Sequence, residues 1–112
     1  MQNLPRKVQF YKTFDDKIPA QSWLDSLRDI VALSKILTRL KRLQLGNYGD
    51  YKYLRDGIYE LRIKHGPGYR VYYANDGIDI IVLLLVGDKS TQKKDIMTSI
   101  RYWNDHKKRS QK

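Results

Sequence analysis

Residues 59–73 read YELRIKHGPGYRVYY, and the parity of this stretch decides the fold. Side chains on a strand alternate between faces. In Ile58–Lys64 the odd positions are Tyr59, Leu61 and Ile63, and the even ones are Glu60, Arg62 and Lys64. After the turn His65-Gly66-Pro67-Gly68, the return strand Tyr69–Asn75 has Tyr69, Val71 and Tyr73 odd, with Arg70 and Tyr72 even. An even-length loop would pair Ile63 with Arg70 and mix charge into the apolar face. An odd-length loop pairs like with like, and the glycines can supply the extra bulged residue. Register follows the buried face, so the odd loop is expected. Arg62, Lys64, Arg70 and Tyr72 then stand together, with Leu61, Ile63 and Val71 facing helices.

Working outward, turn signals Asp56-Gly57 and Asp76-Gly77 flank the hairpin. They predict a short strand Tyr51–Leu54 before it and an apolar strand Ile78–Val86 after it, the latter buried on both faces and ended by Gly87. Towards the N-terminus, Arg6–Thr13 alternates around Val8, Phe10 and Tyr11 and reads as a strand. Pro19 suits a helix's first turn, and Trp23, Leu24 and Leu27 supply its apolar stripe. Asp29 can cap a second helix, whose stripe is Leu33, Ile36, Leu37, Leu40 and Leu43, stopping at Gly46. Ser90 or Thr91 can cap a last helix with Ile96, Ile100 and Trp103 inward.

The chain has 112 residues, enough for one domain. We expect that domain over residues 1–105 and a frayed basic tail over 106–112. The longest apolar run, Ile80 to Val86, is far too short to span a membrane. No apolar leader opens the chain, so a cytoplasmic location is expected. There are no cysteines and only two histidines, His65 and His106, so neither thiolate chemistry nor a protein-built metal site is expected, and no cofactor. Lys and Arg total 22 against 12 Asp and Glu, a net charge of +10. Such a field draws polyanions. The cations cluster in the hairpin, at Lys41 and Arg42, from Lys89 to Lys94, and at Lys107, Lys108 and Arg109.

A face with guanidiniums, an ammonium and a phenol suits a phosphodiester: Arg offers a planar fork, and Tyr a stacking surface or a hydrogen bond. The same spacing suits a salt-bridged sheet face, with Glu60 pairing Arg62 or Arg70. Spacing alone leaves both open.

The strings WLDSL, RLKRLQLGNYGDYKYLRDGIYELRI, HGPGYRVYY and VGDKSTQKKDI, in this order, resemble the HigB-like branch of the RelE/ParE toxin superfamily, from about Phe10 to Trp103. The resemblance implies an α+β, RelE-like fold, β-α-α-β-β-β-β-α, with a helical hairpin on a small, mostly antiparallel sheet. It implies a type II toxin neutralised by a cognate antitoxin. RelE- and HigB-like members are mRNA interferases that cleave mRNA at the ribosome, whereas ParE-like members poison DNA gyrase. A basic RNA-binding domain is the third reading. For an antitoxin, Trp23, Tyr48 and Trp103 are candidate anchors where exposed.

Metal-free RNA cleavage needs a base for the 2′-hydroxyl, cations for the phosphorane and an acid for the leaving oxygen. The resemblance places the phosphate-binding cations at Arg62, Arg70 and Lys89. RelE itself carries a tyrosine in its last helix; here KKDI stands there, with no tyrosine before Tyr102. Lys93, Lys94, Asp95, His65 and Tyr72 are the substitutes, Lys93 and Asp95 as catalytic candidates. Lys64, His65, Tyr72 and Lys94 are the candidate RNA contacts.

Overall fold

The computed structural model describes residues 4–110. Its elements are β1 (Lys7–Phe10), α1 (Pro19–Ser26), α2 (Ile30–Gln44), β2 (Tyr51–Arg55), β3 (Ile58–Ile63), β4 (Tyr69–Asp76), β5 (Ile80–Asp88), a short 3-10 turn (Lys89–Thr91) and α3 (Gln92–Ser110). This is an α+β domain with one five-stranded sheet in the order β1-β5-β4-β3-β2. Only β1 and β5 run parallel; the other neighbours are antiparallel. No described helix is long and apolar enough to cross a membrane.

Local chemistry explains the helix ends. Pro19 occupies the first turn of α1, where its missing N–H leaves nothing unpaired. Asp29 caps α2, its carboxylate accepting from the Ala32 amide at 3.0 Å. Gly46 follows the C-cap Leu45 with φ of 88°, a conformation that favours glycine. The last helix departs from expectation. Asp88, rather than Ser90 or Thr91, accepts from the Ser90 amide at 2.8 Å. The 3-10 turn runs straight into α3, which needs no separate cap. The basic residues expected as a frayed tail are helical up to Ser110: Arg109 pairs with Asp105 one turn away at 2.8 Å. Residues 111–112 lie outside the described part.

Ile63 pairs with Tyr69, Leu61 with Val71, Arg62 with Arg70 and Glu60 with Tyr72. The loop Lys64–Gly68 is therefore odd. Leu61, Ile63 and Val71 join Ala32, Ile36, Leu40 and Leu43 of α2 in one core. Tyr72, Ala74, Val82 and Leu84 meet Trp103, Ile96 and Ile100 of α3 in a second core on the other face. Helices thus cover both faces, which is why β5 is apolar almost throughout. Every strand differs from expectation at one end or both: β2 runs on to Arg55, β3 stops at Ile63 and β4 runs on to Asp76. β1 is shorter, Tyr11 having turned to pack on α3; β5 begins after the exposed Ile78 and continues through Gly87 to Asp88.

A bulge falls in β5, where Tyr72 pairs with Leu85 but Tyr73 with Leu83. Leu84 and Leu85 both meet the α3 core, and Val86 returns to the α2 core. The parity flip leaves Gly87 beneath α3. A Cβ there would lie 2.0 Å from Asp95 Oδ2, so glycine is what leaves room for the Asp95 carboxylate in this position.

Candidate functional site

Glu60 organises the polar patch. Its side chain is fully buried in mid-sheet, where a carboxylate must be paired. Oε1 accepts from Arg62 Nε at 2.9 Å and lies 3.7 Å from Arg70 Nε. Oε2 accepts from Gln92 Nε2, at the start of α3, at 2.7 Å. The contact with Arg70 is too long for a hydrogen bond, so Arg70 Nε is buried without a partner. Each guanidinium has five donors, and Glu60 leaves most of them over. The Glu60 bond raises the Arg62 pKa further, so Arg62 is a permanent cation. The Arg62 side chain is 33% exposed and that of Arg70 only 13%. The two readings of the polar face are therefore not exclusive: Glu60 pairs the arginines and also aims them.

A Cβ on Gly68 would lie 3.5 Å from Arg70 Nη1 and 3.6 Å from Lys89 Cβ, so the glycine turn brings the base of the Lys89 side chain close to the Arg70 guanidinium. Asp95 lies over Gly87, the register partner of Arg70. Its Oδ2 accepts from Thr91 Oγ1 at 2.5 Å. Burial pushes the Asp95 pKa up despite that bond, moving it towards the range useful for proton transfer. Tyr72 shares the face but is fully buried, and its hydroxyl has no hydrogen-bond partner. Burial first, then the Glu60 and Asp95 carboxylates, push the Tyr72 pKa up. A ring so enclosed cannot stack on a base, which corrects that expectation.

The other expected residues scatter. Lys64 falls just beyond β3 and, with Lys35, Arg39 and Arg42, lines a cavity of about 310 Å³ against α2. It does not stand with Arg62 and Arg70, because the chain has already left the strand. His65 Nε2 lies 3.1 Å from Asp29 Oδ2, tied to the start of α2 on the opposite side of the sheet. Lys93 and Lys94 are exposed on the first turns of α3. Of the candidate anchors, Trp103 is buried, Trp23 packs edge-on against Tyr69, and Tyr48 is 38% exposed. Among the described residues, no three His, Asp or Glu side chains gather as a metal-binding group.

Sequence reasoning passed over Glu60 as a site residue and missed Gln92. Glu60 carried a signal, the lone acid among the cations on the even positions of β3. Gln92 carried none, since its role exists only once α3 docks.

Residues 22–99 match the family described as "Phage derived protein Gp49-like (DUF891)". The chain belongs to this family. The Gp49-like family is a toxin-like family of the RelE kind. An uncharacterized protein of Haemophilus influenzae is 56% identical over 75 residues, which cover 67% of this chain and 76% of that relative.

Proposed function

We propose that this Gp49-like protein is the toxin of a type II toxin–antitoxin pair, HigB-like in branch and RelE-like in topology, and that it cleaves mRNA at the ribosome. One observation carries the reading: Arg62 and Arg70 face each other in register on one side of the sheet, Arg62 hydrogen-bonded to the buried Glu60 and Arg70 3.7 Å from the same carboxylate oxygen. Two guanidiniums so fixed suit the dianionic phosphorane formed when a 2′-oxygen attacks the adjacent phosphorus. Lys89 adds a third cation at the same edge. The attack forms the 2′,3′-cyclic phosphate and expels the 5′-oxygen. Asp95 takes the 2′-proton, its raised pKa bringing it closer to the working pH. An exposed ammonium, Lys93 or Lys94, protonates the leaving oxygen. Glu60 is sealed from solvent and acts by positioning the arginines.

A cognate antitoxin silences the toxin, and the net charge of +10 speeds its encounter with an acidic partner. One observation favours a second reading, a non-enzymatic poison of DNA gyrase. The α3 tyrosine, Tyr102, stacks on Tyr11 with ring centroids 4.6 Å apart and takes no place in the arginine patch. Induced expression followed by RNA mapping separates the two. Cleaved mRNA supports the nuclease; intact mRNA with a DNA-damage response supports the gyrase poison. Co-expression of the neighbouring gene should restore growth, and failure to rescue would count against the toxin reading.

A further inference from the structure

A groove of about 420 Å³ opens between β2 and the first turns of α3, lined by Lys52, Leu54, Arg55, Lys93, Ile96 and Met97. Its floor is apolar, and Met97 is 53% exposed there. Three cations line the floor, Lys52, Lys93 and Arg55, the last also 3.6 Å from the Asp56 carboxylate. Arg55 Nη2 reaches over it to within 3.0 Å of Met97 Sδ. The groove adjoins the arginine patch. Lys52 is the register partner of Glu60, and Lys93 follows Gln92, which hydrogen-bonds Glu60.

We infer that this groove binds one nucleotide of a single-stranded RNA, next to the phosphate held by Arg62 and Arg70. The inference rests on the nuclease reading. The base lies on Leu54, Ile96 and Met97 with the Arg55 guanidinium against its face, as arginine planes and apolar side chains hold unstacked bases. Lys52 and Lys93 take its phosphate. The size fits a small ligand. Cations on both sides of an apolar floor match a flat base joined to a phosphate. An acidic peptide is the competing occupant. The nucleotide is favoured because the groove continues into the phosphate-binding patch, along which an RNA strand would run.

The test uses short single-stranded RNA made uncleavable by 2′-O-methyl groups, labelled for fluorescence anisotropy and carrying one abasic site at each position in turn. Wild type should lose about tenfold in affinity at one abasic position, the loss expected for a single base contact. Met97→Ala, checked for native circular dichroism, should lose that sensitivity at that position alone. Lys52→Ala should weaken all the RNAs alike and lower the salt slope by about one. A flat abasic scan, or one that Met97→Ala leaves unchanged, overturns the groove assignment. If mRNA in induced cells is then still cut in an Arg70-dependent way, the nuclease reading survives on its own. If the labelled RNA is not bound and no mRNA is cut in induced cells, both fall. If Met97→Ala loses only the antitoxin, the groove belongs to a protein partner and the assignment is overturned.

Discussion

Replacing Glu60 by Gln tests the centre of the site most directly. The carboxylate is fully buried and accepts two hydrogen bonds, from Arg62 at 2.9 Å and Gln92 at 2.7 Å. Gln keeps the shape but removes the charge and turns one acceptor into a donor. The Gln92 amide can rotate and restore its bond in neutral form; Arg62 has no such freedom. A hydrogen bond to a charged group exceeds a neutral one by about 1 kcal/mol. Two such bonds put the loss at about 2 kcal/mol, with the longer Arg70 contact adding a fraction. For a domain of this size that is about 8 °C in melting temperature. Urea and thermal unfolding at neutral pH measure it. Because Glu60 positions the arginines and does not touch substrate, Glu60→Gln should weaken RNA binding and slow cleavage without moving the pH profile. A variant as stable as wild type, with unchanged RNA affinity, would refute the positioning argument. Loss of one limb of the pH–rate profile would show instead that Glu60 itself moves a proton.

Arg70→Ala should abolish toxicity in a folded protein, as growth after induced expression reads out. With its side chain only 13% exposed beside Glu60, it should also cost about 1–2 kcal/mol, more than a solvated arginine would. Gly87→Ala places a methyl group 2.0 Å from Asp95 Oδ2, so Asp95 must swing away; cleavage should fall sharply, and retention of full activity would remove Asp95 from the mechanism. Burial and the Asp105 hydrogen bond raise the Tyr11 pKa from 10.0 to about 12. A folded pKa above the unfolded one stabilises below pH 10 and loses that effect as pH rises towards 12. The stability slope over this window, followed by alkaline unfolding, should flatten in Tyr11→Phe.

The parity of the β3–β4 hairpin was legible because a sheet face must be apolar where it meets α2. Leu61, Ile63 and Val71 leave one register that satisfies this. Asp29, Pro19 and Gly46 announced helix ends because capping is local chemistry. The polar face was read only in part. Its residues alternate as expected, yet nothing local tells that α3 will cover Tyr72 and enclose Glu60. Lys64 matched the even positions of β3 but lies past the strand's last residue, and so faces α2. His65 was read as a candidate acid, base or RNA contact because its partner, Asp29, is distant in sequence. The β5 bulge was illegible too: in a strand apolar on both faces, a slip of one residue leaves no mark on the pattern.

The sheet order has a meaning in time. β1 is held by β5, Val8 beside Ile81, and α3 then clasps it through the hydrogen bond of Tyr11 to Asp105 at 2.6 Å. During synthesis β1 must wait, unpaired, until the strand it rests on has been made. The β2–β5 meander needs only its own neighbours and can close first. At that moment Arg62 and Arg70 are already opposite each other, but Gln92 has not reached Glu60 and Asp95 has not settled over Gly87. A half-made chain carries the cations of the site without its wiring, so the site exists only in the finished molecule.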